Sequence, residues 1–186
     1  LNMAVNAPLV KYYEDVLNDG QPTGDVKEIT LWDAGIVDAG TTSADKIIYI
    51  WNNKDNASND HSDMQNVKLG VVSNEVGSVG NKDGWVYDNN VIKVTLNAHD
   101  PSTESVHLGN DSSSSGAEFV LPLTAKGLNE SNPDEQNRIR GTKGTTNLTD
   151  GVNNYAKVTA CVDLSAHPNA AAGQHKFRLR TTYSYT

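Results

Sequence analysis

Apolar and polar residues alternate most clearly near the end of the chain. Val158, Ala160, Val162 and Leu164 fall on one face, with Lys157, Thr159, Cys161 and Asp163 on the other. In the last segment Phe177, Leu179, Thr181, Tyr183 and Tyr185 share a face, opposite Lys176, Arg178, Arg180, Thr182 and Ser184. Side chains alternate with a period of two along a strand, so each segment predicts a strand with one face for a core and one for water. The same period predicts strands over 26–32, 67–72 and 91–96, the last with Ile92, Val94 and Leu96 on one side. Residues 46–51 are apolar on both faces, which predicts a central strand covered on both sides. Residues 118–123 also read as a strand, and Pro122 demotes it to an edge or a strand end. Helical spacing is nearly absent, with about one turn each offered by Tyr12 to Leu17 and Pro133 to Arg138. Seven or eight such strands, separated by turn signals, predict an all-β sandwich or barrel.

Between about 73 and 154 the pattern thins into glycine, serine and asparagine, as in Ser112-Ser113-Ser114-Ser115-Gly116 and Gly141-Thr142-Lys143-Gly144. Irregular segments of that length in a compact domain are usually functional or ordered by a partner. The expected organisation is therefore an N-terminal arm over 1–24 and one domain over 25–186, with an irregular insertion at about 73–154.

Composition changes the picture in two ways. Only 37% of the 186 residues are apolar, so much of the chain must lie in loops or at the surface. The net charge of −8 argues against duplex nucleic acid and anionic membranes as partners, because both reward basic surfaces. No apolar run approaches the ~20 residues of a membrane span, and Leu1 to Val5 lacks the basic, then apolar, pattern of a signal peptide. A single cysteine, Cys161, permits no intrachain disulfide.

Candidate chemistry is sparse. His99, Asp100, Glu104 and His107 form the densest titratable group, without zinc-site spacing, and read as a solvated loop. Asp55, Asp60 and Asp63 supply hard oxygen ligands without an EF-hand glycine or terminal glutamate, and read as a hydrated connection. Cys161, in the outward register of its strand, reads as a surface or interface thiol. No serine sits in a nucleophile elbow and no glycine loop fits phosphate. The sequons at Asn56, Asn110, Asn129 and Asn147 are what an asparagine- and serine-rich chain gives by chance. Planar rings stack on sugars, so Tyr12, Tyr13, Trp32, Trp51 and Trp85 were weighed as a carbohydrate platform; Trp51 reads as buried, and Trp85, in a polar neighbourhood, is the best candidate. Lys176, Arg178 and Arg180 form the densest basic stripe on a net-acidic chain, suited to an acidic surface of a neighbour.

Two stretches carry a resemblance. Leu31-Trp32-Asp33-Ala34-Gly35, then Ala39 to Ser43, then Ile47 to Asn53, is similar to a strand, a glycine kink and a strand ending in asparagine. The C-terminal pair with Ala170-Ala171-Ala172-Gly173 between its strands is similar to a closing hairpin. Both resemble immunoglobulin-like domains of bacterial and phage surface proteins. Trp51-Asn52-Asn53-Lys54, followed by Ser62 to Val67, resembles tailed-phage virion proteins of the neck, tail or capsid surface. The resemblance implies an immunoglobulin-like antiparallel β-sandwich acting as a non-enzymatic structural subunit in a virion, with copies of itself and other virion proteins as partners and no metal or cofactor. A carbohydrate-binding or adhesin-type module, extracellular or at a cell surface, is the alternative.

Overall fold

The computed structural model describes residues 6–21, 25–75, 82–83, 85–96, 105–109, 121–170 and 172–186. The chain is all-β: the described residues form ten strands in two antiparallel sheets packed as a sandwich, with one short helical turn. The strands are β1 (Val10–Asp15), β2 (Val26–Glu28), β3 (Lys46–Asn52), β4 (Gln65–Glu75), β5 (Lys82–Asp83), β6 (Ile92–Leu96), β7 (Ser105–Leu108), β8 (Leu121–Pro122), β9 (Tyr155–Val162) and β10 (Phe177–Ser184); the turn is α1 (Trp85–Asp88). The larger sheet runs β2-β1-β3-β9-β6-β7. The smaller runs β10-β4-β5, with β8 also paired to β4. Six and four strands exceed the seven of a constant-type immunoglobulin domain, so the immunoglobulin-like detail rests on the resemblance alone.

The faces follow from the alternation. Ile48 and Ile50 of β3, Ile92, Val94 and Leu96 of β6, and Ala156, Val158 and Ala160 of β9 meet Val67, Leu69 and Val71 of β4 in the main core. Ile47, Tyr49 and Trp51 point the other way, into a second cluster with Tyr13, Tyr155 and Leu148. β3 is thus covered on both sides, as its unbroken apolar run predicts. In the second cluster Trp51 lies 4.8 Å from Tyr155 and 5.9 Å, edge-on, from Tyr13, with the Lys54 ammonium 5.5 Å above its ring.

One expectation is corrected, and two segments are given their place. The C-terminal strands do not form a hairpin: β9 lies between β3 and β6 in the large sheet, while β10 pairs with β4 in the small one. β9 presents apolar side chains to both clusters and so belongs at a sheet centre; the connection through Pro168 carries the chain across to the other sheet. The described part of the expected N-terminal arm joins the large sheet. Val10–Asp15 pairs with β3, and the buried Asp15 carboxylate accepts the N–H groups of Leu17, Asn18 and Gly20, closing the turn that follows.

Residues 121–154, within the expected insertion, are irregular and packed. Leu121, Leu123, Ala125, Leu128 and Ile139 enter the main core and Leu148 the second cluster. Buried backbone groups need partners wherever no ladder supplies them. Here Leu123 N–H donates to Val67 O (2.9 Å), Met64 and Ile139 bridge, and Lys126 N–H donates to Tyr155 O (3.0 Å). Asparagines supply the rest. Asn53 Nδ2 donates to Asn59 O and Gly141 O, and Asn154 Nδ2 to Thr142 O (2.7 Å) and Asn52 O (3.2 Å). Residues 110–120, including the Ser112–Gly116 run, and Glu118 to Val120 of the expected strand lie outside the described residues.

Candidate interaction surface

The segment joining β2 to β3, residues 29–45, has no ladder of its own and crosses the flank where β1 and β2 lie beside β10. Its fixed points are local. Ile29 N–H donates to Tyr12 O, Asp33 Oδ1 accepts the N–H of Gly35 (φ +71°), and Ser43 N–H donates to Val162 O. Between these points apolar side chains face water: Leu31 is 81% exposed and Ile36 98%.

Two depressions flank this segment. A groove of 460 Å³ separates it from β10 and is lined by Tyr12, Ile29, Leu31, Trp32, Phe177 and Leu179, among others. A cleft of 670 Å³ lies on the far side of Trp32, bounded by residues 33–39, α1 and the 170–175 loop. They share Trp32 and Phe177, whose rings pack edge to face at 5.5 Å. Leu31 borders the groove and Ile36 the cleft, so the exposed apolar residues and both hollows form one continuous surface.

The structure places Trp85 on α1, half-buried, with one ring face stacked on His175 (4.7 Å) and an edge contact to His167 (6.0 Å). A sugar would have only the opposite ring face, or would have to displace His175. The other aromatic candidates divide. Tyr13 and Trp51 are buried in the second cluster. Tyr12 is turned inward, its hydroxyl 2.7 Å from Thr181 Oγ1. Trp32 lines both hollows.

Lys176, Arg178 and Arg180 are exposed, whereas Phe177, Leu179 and Thr181 are half-buried, as the alternation predicts. Lys68, exposed on β4 opposite Thr182, extends the basic stripe. The stripe covers the solvent side of the small sheet and the groove lies on its inner side; the two meet along β10.

The remaining candidates do not converge. Asp60 Oδ1 accepts Lys143 N–H, Asp63 Oδ1 accepts Gly141 N–H, and Asp55 pairs with Lys54, so each carboxylate serves a different loop contact. Among the described residues no three metal-ligating side chains come together. His99, Asp100 and Glu104 lie outside the described residues. His107 is held by Asp163, Nε2 to Oδ2 3.0 Å, while Asp163 Oδ1 accepts the Ser165 hydroxyl at 2.5 Å. These hydrogen bonds, that of Ser165 first, lower the Asp163 carboxyl to about 2. A nucleophile relay needs the histidine between serine and carboxylate; here the carboxylate stands in the middle.

Cys161 corrects the expectation of a surface thiol: it is 7% exposed. Its side chain takes the outward register of β9, and that face is covered at this position. Burial, reinforced by the Asp45 and Asp163 carboxylates, pushes its thiol up. Periodicity gave no sign of the groove, because Ile29, Leu31 and Trp32 belong to an irregular segment; the one signal was a strand-like run, 26–32, whose ladder stops at Glu28. No protein-family model, curated protein or solved structure matches the chain.

Proposed function

We propose that this chain is a non-catalytic assembly module that contacts neighbouring protein subunits through the flank formed by residues 29–37, the groove and β10. One observation carries the reading: an apolar surface, with Leu31 81% and Ile36 98% exposed, runs without a break into two hollows on a chain otherwise poor in apolar residues. Contiguous exposed apolar surface marks interaction sites, whereas scattered single residues do not. The setting that fits best is a virion surface structure of the neck, tail or capsid type, on the strength of the resemblance of Trp51 to Lys54 and Ser62 to Val67 to such proteins.

The test measures association and ligand preference together. The chain, alone and co-expressed with the proteins encoded beside it, is expected to enter a multi-chain complex by light scattering. Leu31→Asp combined with Ile36→Asp, both at exposed positions, is expected to weaken that complex without lowering the melting temperature. A chain that stays monomeric throughout, and binds a glycan through Trp32 and Trp85, would refute the assembly reading in favour of a carbohydrate-binding module.

A further inference from the structure

The assembly reading leaves the neighbour's chemistry unnamed, and the larger of the two hollows narrows it. The 670 Å³ cleft beyond Trp32 falls within the roughly 300–1,000 Å³ of pockets that hold ligands. Its walls are of two kinds. Trp32, Trp85 and Phe177 supply aromatic rings, and Asp33 and Asp38 supply carboxylates. No lysine or arginine lines it, and the one histidine, His175, lies stacked on Trp85.

Both carboxylates belong to the segment joining β2 to β3. Residues 29–45 carry three aspartates, Asp33, Asp38 and Asp45, and no basic residue. Asp33 and Asp38 are both exposed. Asp33 accepts the Gly35 N–H through one carboxylate oxygen. At Asp38 the backbone carbonyl closes the next turn, accepting the N–H and the hydroxyl of Thr41. Among the described residues no ammonium or guanidinium pairs with either carboxylate.

We propose that this cleft receives a basic side chain of a neighbouring subunit, arginine in preference to lysine, with its charge held by Asp33 and Asp38 and its stem packed against Trp32. Two like charges lining one hollow between apolar walls focus a negative potential there. A basic side chain answers both kinds of wall. Its methylene stem covers apolar surface while its head carries the charge, and aromatic ring faces attract cations. Arginine fits better because its planar guanidinium stacks on a ring and binds carboxylate oxygens in pairs. A neutral apolar group would strip water from the carboxylates without replacing it. An anion would be repelled.

The rim adds to this. Ile36, 98% exposed, borders the cleft, and Leu31, 81% exposed, borders the groove beside it. The segment that docks here is therefore both basic and apolar. Charge also gives the contact a signature: association through the cleft weakens as salt is added, whereas contact through Leu31 and Ile36 alone does not.

The inference rests on the assembly reading, and the experiment separates the two. The probe is the tripeptide acetyl-Leu-Arg-Leu-amide, titrated into the full chain and followed by tryptophan fluorescence and by the backbone amide signals of residues 33–39 in NMR. Saturable binding at millimolar peptide is expected, weaker by about tenfold or more when citrulline, uncharged and of the same shape, replaces arginine. Asp33→Asn with Asp38→Asn is expected to remove that preference without lowering the melting temperature, because asparagine still accepts the Gly35 N–H. The same double variant is expected to weaken the co-expressed complex and to flatten its salt dependence. No binding of the arginine peptide, equal binding of the citrulline peptide, or full binding by the double variant overturns the basic-side-chain site. So does saturable binding of a neutral sugar, tested as cellohexaose and maltohexaose, at these amides in place of the peptide. If the site is overturned while Leu31→Ser with Ile36→Ser still weakens the complex, the assembly reading survives. A chain that stays monomeric with every neighbour overturns both.

Discussion

Gly151 offers the sharpest test of how the loops hold the second cluster. It follows a turn closed by Asp150, whose carboxylate accepts the N–H groups of Thr146 and Asn147 at 2.9 Å. That turn presses the glycine against the indole of Trp51, which is fully buried. A Cβ at 151 would stand 2.9 Å from Trp51 Cη2 and 3.0 Å from Asn147 O, and closer still to Cζ2. Gly151 is not among the residues at positive φ, so the alanine backbone is itself allowed. Reduced unfolded-state entropy would then stabilise Gly151→Ala by about 0.4–1 kcal/mol. Overpacking opposes this at about 1–3 kcal/mol. The upper end applies here, because Trp51 is hemmed in by Tyr13, Tyr155 and Lys54 and bonds Thr145 through its indole N–H. The expected net is about 2–3 kcal/mol of destabilisation, or ~4–10 °C in melting temperature for a domain of this size. Urea unfolding followed by tryptophan fluorescence measures it, and near-UV dichroism should report a displaced indole. Gly144→Ala is the control. Gly144 has φ +76° and open space at its Cβ, so alanine there costs about 1–2 kcal/mol through backbone strain and leaves the indole signal intact. A Gly151→Ala chain as stable as the parent, with an unchanged near-UV spectrum, would refute the tight seating of this loop on β3.

Three further outcomes are expected. The Asp163 carboxyl is lowered to about 2 by Ser165 and His107, so its contribution is present above the ordinary carboxylate value and lost as pH falls towards 2. That contribution is on the order of 2 kcal/mol; Asp163→Asn should be less stable than the parent at neutral pH, and the gap should close between pH 4 and pH 2 in denaturant titrations. A constant gap would reject the assignment. Cys161, buried with a raised thiol, should react with Ellman's reagent only after denaturant is added, and rapid labelling of the native chain would contradict its burial. Asn154→Ala removes the donor to Thr142 O and to the buried Asn52 O, at about 1–3 kcal/mol. Faster proteolysis within 141–150 should accompany the loss, and unchanged protease resistance would show that the side chain does not tie this loop.

Period-two alternation made the all-β class legible, along with the faces of β6, β9 and β10 and the double coverage of β3. It reports which face a residue takes, not which strand lies alongside. For that reason β9 and β10, adjacent in sequence and similar in pattern, could not be seen to lie in different sheets. Pro8 to Tyr13 reads as either a strand or a docking arm, and periodicity cannot decide for β1 because Tyr12 and Tyr13 are both held inward, one under β10 and one against Trp51, and its last residue is a buried aspartate that caps a turn. Residues 121–154 escaped for another reason. Their order comes from backbone bonds to asparagine side chains and to strand ends, which follow no period. The groove was illegible for the same reason, since its walls come from an irregular segment and a strand about 145 residues apart along the chain.

Apolar residues are scarce in this chain, which makes their placement on the flank informative. The core takes aliphatic side chains from almost every strand, and even the loops of 121–154 contribute Leu123, Leu128 and Ile139. Yet Leu31, Ile36, Tyr183 and Tyr185 stay exposed on or beside the open seam. Covering Leu31 or Ile36 internally would require the 29–45 segment to fold down over the groove. Its course is instead set by the Ile29, Asp33 and Ser43 bonds and by the packing of Trp32 on Phe177, which leave the groove between Leu31 and β10. A seam kept open by specific hydrogen bonds, with apolar side chains on both banks, is pre-organised: a partner entering it does not first have to order the loop.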